Sequence, residues 1–256
     1  ASDVYKRQIY HGAPVLSSLA ALRSGSDLVY TCVPKINAFS TRSISPDLIV
    51  IPMADSKLTR GTVNKMLGQI PVDIDSAAIG MGLAIQDIEA IKLLVKSLLD
   101  RNVRVSLDAS SLVKEILPII EGQNVVVTPH SGEFHKIFPN IKKNLNNIDK
   151  ALSAVKLIKS NIILKGPSTV IVSYNKRIVI NNHASSELAV IGSGDVLSGL
   201  IVSLVGQKKV NPFLAGCAAS WLHGDIAKHY EKGLIAEDLV QGIPNALKRL
   251  KKWKTY

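Results

Sequence analysis

The sequence predicts an α/β fold, a mostly parallel sheet with helices on both faces. Short apolar runs alternate with longer amphipathic segments along the chain, as in repeated strand–helix–strand units. Several runs stop at Pro, Gly or Asp, and polar, chemistry-bearing residues follow. The 256 residues suit one large domain, and 46% hydrophobic with 20% charged residues excludes intrinsic disorder.

Ala13–Arg23 places Val15, Leu16, Leu19, Ala20 and Leu22 at helical spacing, with Gly25 just beyond. Asp27–Val33 reads as a strand ended by Pro34, and Leu48–Ile51 as another before Pro52. Thr59–Leu67 reads as a helix, and Ala77–Ile79 as a strand running into Gly80-Met81-Gly82. Gln86–Leu99 is an amphipathic helix, Val103–Leu107 a strand ending at Asp108, and Leu112–Ile116 the centre of a short helix. Asn124–Thr128 is a strand stopped by Pro129, Asn147–Lys159 a helix, and Ile162–Leu164 a strand entering Lys165-Gly166-Pro167. Thr169–Ser173 and Arg177–Asn181 flank Tyr174-Asn175-Lys176, a hairpin signal. Val196–Val205, Pro212–Tyr230 and Ala236–Leu250 are mostly helical.

Composition narrows the function. The longest apolar stretch, Val196 to Gly206, falls short of the ~20 residues of a membrane span. Two cysteines far apart, Cys32 and Cys217, suit a reducing compartment, so a cytoplasmic location is expected. A net charge of +11 raises the question of nucleic acid, but the excess crowds the last residues and aromatics are only 5%. A basic surface that attracts anionic small molecules is the favoured reading, and nucleic acid the minority one.

Three segments carry most of the chemistry. Gly192-Ser193-Gly194-Asp195 precedes an apolar helix, so close backbone approach and free N–H groups make an anion hole at the helix start. Asp195 at that mouth can take a proton from an attacking hydroxyl; taken alone, it reads equally well as a helix cap. Thr128 to Glu133 follows a strand, at the carboxyl end where parallel sheets bind ligands. There His130 can orient a polar ligand and Glu133 can hold Mg2+ directly or through water, although a first-turn acid at a helix start reads the same way. Lys165, Gly166, Pro167, Ser168 and Thr169 also stand at a strand end and suit a nucleotide phosphate or ribose, or a plain turn. Gly80-Met81-Gly82 is a weak signal, and Asp108, His223 and His229 read as structural.

Together, these segments resemble the NAD(P)H-hydrate dehydratase family of the ribokinase-like superfamily. The matching pieces are His11-Gly12-Ala13-Pro14, Ile79 to Gly82, Thr128 to Phe134, Lys165 to Thr169, Gly192 to Gly199, Trp221 to Gly224, and the run from Gly233 to Pro244. The resemblance implies a ribokinase-like fold and repair of hydrated NADH or NADPH at the expense of a nucleotide phosphoryl group. It implies ADP as the usual donor in prokaryotic members and ATP in eukaryotic ones, with Mg2+. Carried across, Ala13, Gly82, His130 and Asp195 contact the hydrated cofactor, and Lys165 to Thr169 with Gly194 contact the adenine nucleotide. A homo-oligomer, with a tetramer among the options, is also implied. The alternatives are a hydroxymethylpyrimidine or hydroxyethylthiazole kinase, which usually shows Asn where His130 stands, and a non-catalytic nucleotide- or RNA-binding module.

Some positions depart from the family pattern. Ile191 stands where a glycine is usual, Ala184-Ser185-Ser186-Glu187 replaces a Gly-Asn-Pro-Gly, and Ser110 replaces an aspartate. Family members also begin with a strand and glycine-rich turn ahead of His11, and many prokaryotic ones carry an N-terminal epimerase domain. Residues 1–8, Ala1 to Gln8, match the in-frame translation of a sequencing adaptor. The expectation is therefore an artefact over 1–8 and one domain over 9–256 whose first strand, and any epimerase domain, is missing.

Overall fold

The computed structural model describes residues 11–54, 57–85, 87–230 and 232–252. The adaptor reading of residues 1–8 lies outside them. The chain opens with α1 (Gly12–Arg23), β1 (Tyr30–Pro34), α2 (Lys35–Ile44), β2 (Ile49–Met53), α3 (Arg60–Leu67), β3 (Ser76–Ile79), α4 (Ile88–Asp100) and β4 (Arg104–Leu107). It continues through α5 (Leu117–Ile120), β5 (Val125–Val127), α6 (Ser131–Ile137), α7 (Asn147–Ile158), β6 (Asn161–Leu164) and the hairpin β7 (Thr169–Val172) and β8 (Ile178–Asn181). Three helices close it: α8 (Ser193–Gly206), α9 (Pro212–Lys228) and α10 (Ala236–Lys252).

A six-stranded sheet runs in the order β3-β4-β5-β6-β7-β8, and β1 and β2 pair as a separate two-stranded sheet. Pairing is parallel from β3 to β6 and antiparallel through the hairpin. The mostly parallel sheet expected from the alternating sequence is therefore present, with one antiparallel edge.

Strand alternation sorts the core onto two faces. Val125 and Val127 join the cluster that contains Leu94 and Leu98 of α4, while Val126 joins the cluster of α8 and α9. The residues Ile162, Ile163 and Leu164 of β6 divide in the same way. α4 shows why its segment is helical: Asp87 caps it by accepting from the Glu89 N–H, and Ala90, Ile91, Leu94, Val95 and Leu98 form one buried stripe.

Two segments differ from the sequence reading. The expected helix at Leu112–Ile116 is a pair of 3-10 turns, Ala109–Ser111 and Lys114–Ile116, in which the Ser111 hydroxyl donates to the Asp108 and Ile79 carbonyls. α2 is an unforeseen helix; it buries only Ala38 and Thr41 and leaves Ile36 and Phe39 exposed, so its sequence shows no clear apolar stripe. α6 is the short helix whose start the TPHSGE run supplies.

Candidate active site

The loops after β3, β4, β5 and β6 and the N-terminus of α8 meet at one end of the sheet. Each apolar strand ends where a polar run begins, so backbone pairing itself carries these residues to a common rim.

The α8 terminus forms first. Gly192 caps it at φ +87°, and a Cβ there would lie 2.6 Å from Leu16 Cδ1 of α1 and 2.9 Å from Ala236 Cβ of α10. Only glycine lets three helices close around this turn. Ala13 lies one turn before Leu16 on α1 and so belongs to the same corner. Ser193 is fixed by His223, whose Nε2 is 3.0 Å from both the Ser193 carbonyl and its hydroxyl. Burial pushes the His223 imidazole down to about 4, so it is neutral there.

Asp195 sits in the first turn of α8. Burial, then repulsion from Asp108, pushes its carboxyl up to about 6, with Lys165 pulling the other way. A carboxylate so placed is ionised at neutral pH yet holds a proton readily, as a general base requires. The Lys165 Nζ closes the arrangement. It lies 2.6 Å from Asp108 Oδ1 and 3.9 Å from where a Cβ on Gly194 would stand. Asp108 Oδ2 accepts from the buried Ser198 hydroxyl at 2.7 Å, which ties β4 to α8.

His130 caps α6. Its Nδ1 accepts from the Gly132 N–H at 2.9 Å, and its backbone N–H donates to Glu133 Oε2 at 2.9 Å, a reciprocal capping box. Because Nδ1 is the acceptor, the neutral ring carries its proton on Nε2, which lies 3.4 Å from Glu133 Oε1 on a half-exposed side chain. A Cβ on residue 132 would stand 2.8 Å from His130 Cε1, so the glycine leaves room for the capping ring. A parallel bridge joins His130 to Lys165, with the Lys165 N–H donating to the Pro129 carbonyl at 2.8 Å. The residues after Lys165 form a turn in which the Thr169 hydroxyl donates to the Gly166 carbonyl.

Gly80 and Gly82 both adopt positive φ. A Cβ on Gly80 would lie 1.7 Å from the Asp108 carbonyl oxygen, and the Ser110 hydroxyl donates to the Gly80 and Leu83 carbonyls. The Gly80-Met81-Gly82 turn is thus locked against the Asp108 loop.

The structure brings His130, Lys165, Gly194 and Asp195 together and adds Asp108, Ser198 and His223, which the sequence reading set aside. The signal for Asp108 was its place at a strand's carboxyl end, shared with the motifs that were chosen. Among the described residues no group of three or more His, Cys, Asp or Glu side chains forms a metal cage. Both Asp108 oxygens are engaged, and Glu133 is committed to capping. That donor set fits Mg2+ arriving on nucleotide phosphates with much of its water retained, not a resident ion.

A family model described as NAD(P)H-hydrate dehydratase matches residues 7–247. An ADP-dependent (S)-NAD(P)H-hydrate dehydratase of Nitrosopumilus maritimus is 50% identical over 246 residues, covering 94% of this chain and 85% of that protein. The protein of the same description in Cenarchaeum symbiosum is 46% identical over 248 residues, with the same coverage of 94% and 85%. Among solved structures, the Bacillus subtilis ADP/ATP-dependent NAD(P)H-hydrate dehydratase, co-crystallized with ATP/Mg2+ and soaked with CoA, superposes with a TM-score of 0.78 at 26% identity, covering 93% of this chain and 87% of that one.

Proposed function

The chain belongs to the NAD(P)H-hydrate dehydratase family, and from that premise we propose that it restores NADH and NADPH from their hydrates, consuming ADP and releasing AMP and phosphate. The observation that carries the reading is Asp195, a carboxyl pushed up to about 6, in the first turn of α8 with the Lys165 ammonium beside that turn.

Asp195 removes the proton from the hydroxyl on ring carbon C6. The freed oxygen bonds to the terminal phosphorus of ADP while the bond to the bridging oxygen breaks, and AMP leaves. The N–H of Gly194 and the ammonium of Lys165 face the phosphoryl oxygens as charge gathers on them; the Ser193 N–H is held by the Val190 carbonyl at 3.3 Å. The original C6–O bond then breaks, driven by the ring nitrogen lone pair, so that phosphate leaves with that oxygen, and a proton passing from C5 to the departing phosphate restores the dihydropyridine. The half-exposed imidazole of His130 packs against the hydrated ring, with Ala13 and Gly82 at its edge. Lys165 to Thr169 cradle the nucleotide. Mg2+ bound on the phosphates would supply further charge neutralisation, and Glu133 is the residue that would hold it, through water.

ADP is the donor we assign, supported by the two archaeal relatives that bear that dependence in their names. A cytoplasmic setting is supported by two free thiols, Cys32 and Cys217; among the described residues no helix is long and apolar enough to cross a membrane. A homo-oligomer is supported by the exposed Ile178, Val179 and Ile180 of the edge strand β8, and light scattering tests it. The deciding experiment follows loss of hydrated NADH with ADP and, separately, with ATP. Turnover with neither donor, alongside phosphorylation of a vitamin-precursor alcohol, would overturn the reading.

A further inference from the structure

The Lys165 ammonium stands within reach of more than one carboxylate. Its Nζ lies 2.6 Å from Asp108 Oδ1 and 3.9 Å from Glu133 Oε2, and its charge also pulls the Asp195 carboxyl down. A lysine carries a compact charge on a long flexible stem, so these acids compete for it. Pairing with Asp195 would neutralise the base, and pairing with Glu133 would draw the charge away from the first turn of α8. Which acid holds the ammonium therefore decides whether cation and base are both available to the reaction.

Asp108 is the acid with the firmest hold. Its side chain is buried, and its two oxygens are divided: Oδ2 accepts from the Ser198 hydroxyl at 2.7 Å, and Oδ1 accepts from the Lys165 ammonium at 2.6 Å. Both bonds are charge-assisted and short. Ser198 is itself buried and stands one turn after Asp195 on α8, on the same side of that helix. Its hydroxyl therefore fixes the Asp108 carboxylate relative to the helix that carries the base. The Asp108 backbone is held as well. Its N–H donates to the Ile79 carbonyl at 3.0 Å, and its carbonyl accepts from the Ser111 hydroxyl at 2.8 Å. The next residue, Ala109, takes φ +47°, a left-handed conformation that is costly for a residue with a Cβ. Strain that is bonded in place beside a buried ion pair points to a positioning role.

We propose that Asp108 and Ser198 are positioning residues for phosphoryl transfer, a clamp that keeps the Lys165 ammonium at the first turn of α8 and off the catalytic carboxylate. Both act through Lys165 and neither touches the reacting atoms. The clamp runs from the Ser198 hydroxyl through the Asp108 carboxylate to the Lys165 ammonium, and so joins α8, the end of β4 and the end of β6. Its role in transfer rests on the dehydratase reading proposed above. The clamp itself belongs to the resting protein and is measurable without substrate.

Proton exchange of the lysine ammonium groups, followed by proton–nitrogen NMR in ligand-free protein, reads the clamp directly, with Lys165→Arg identifying the Lys165 signal. Ser198→Ala should quicken exchange at the Lys165 ammonium by at least about fivefold. Ser203→Ala should leave it unchanged; Ser203 is a buried serine of the same helix whose hydroxyl has no partner among the described residues. With hydrated NADH and ADP, Ser198→Ala should lower kcat by at least about tenfold. KM for ADP should stay within about twofold, because the ammonium acts on charge that gathers only in the transition state. Asp108→Asn should quicken the exchange further, and it carries the test if Ser198→Ala does not fold. Exchange that is unchanged, or quickened equally by Ser203→Ala, would overturn the clamp. Quickened exchange with kcat unchanged would overturn its role in transfer. Absence of turnover by the unaltered protein with either ADP or ATP would instead refute the dehydratase reading, and the exchange measurement would still decide the clamp.

Discussion

Replacing Asp195 by Asn separates stability from catalysis, because the side chain that we assign as the base is a strain on the fold. Burial and Asp108 raise its carboxyl from 3.8 to about 6. Between those values the folded protein holds a proton on Asp195 that the unfolded chain has released. Stability therefore falls as pH rises through that window and stays lower above it. The rise corresponds to at most about 3 kcal/mol at neutral pH, a large share of a total of roughly 5–15 kcal/mol. Asn has the same shape without the charge, so Asp195→Asn should be more stable than the parent by up to about 3 kcal/mol at pH 7.5. Near pH 3.5, where most of the parent carboxyl is protonated in both states, the difference should nearly vanish. Turnover should fall by roughly 10²–10⁴. Urea unfolding of both proteins at the two pH values measures the first part, and hydrate loss with ADP the second. A variant no more stable than the parent at pH 7.5, or stabilised equally at both pH values, would refute the electrostatic argument; undiminished turnover would refute the catalytic one.

Other substitutions probe the remaining contacts. His130→Asn keeps a competent cap for α6 but loses the half-exposed imidazole ring, so calorimetric titration should show weaker binding of the hydrated cofactor with nucleotide affinity nearly unchanged. Lys165→Met leaves Asp108 buried without its cation, and should destabilise the protein by about 3–5 kcal/mol in urea. Because Lys165 lowers the Asp195 carboxyl, the same variant should also move the acid limb of the pH–rate profile to higher pH. Gly80→Ala places a Cβ 1.7 Å from the Asp108 carbonyl oxygen, so the Asp108 loop must shift; a fall in both melting temperature and activity is expected, checked by calorimetry and the hydrate assay.

How far the sequence could be read follows from which interactions are local. The α4 stripe and the strand from Val125 to Val127 were legible, because period and burial agree within each element. The corner of the site at Gly192 to Asp195 was legible for the same reason, a glycine turn and a helix start being adjacent in the chain. Asp108 was not. Its partners Lys165 and Ser198 lie 57 and 90 residues away, and nothing within β4 marks its carboxylate as different from any strand-end acid. His223 was read as structural, and its role in fixing Ser193 depends on the packing of α9 against α8. The break between the two sheets was also invisible, since each strand's own sequence looks complete.

The departures from the family pattern fall where the fold absorbs them. Ser110 stands in place of an aspartate, yet its hydroxyl donates to the Gly80 and Leu83 carbonyls at 2.8 and 2.7 Å. A carboxylate at that position would present two acceptors to two acceptors; the hydroxyl supplies the donor that the turn requires. Ile191 replaces a glycine, but it is 76% exposed, so no backbone or side chain needs to come close to it. Gly192 alone carries the positive φ and the contact with Leu16. The Ala184–Glu187 segment keeps a tight path by another means. The Ser185 hydroxyl accepts from the Glu187 N–H, and the His183 carbonyl packs so close to Gly224 that a Cβ there would lie 1.5 Å from it. In each case the backbone trace that the site depends on is held by a contact on a neighbouring element. The turn at Gly192 and the carboxylate of Asp195 are therefore held in place although the flanking residues depart from the pattern.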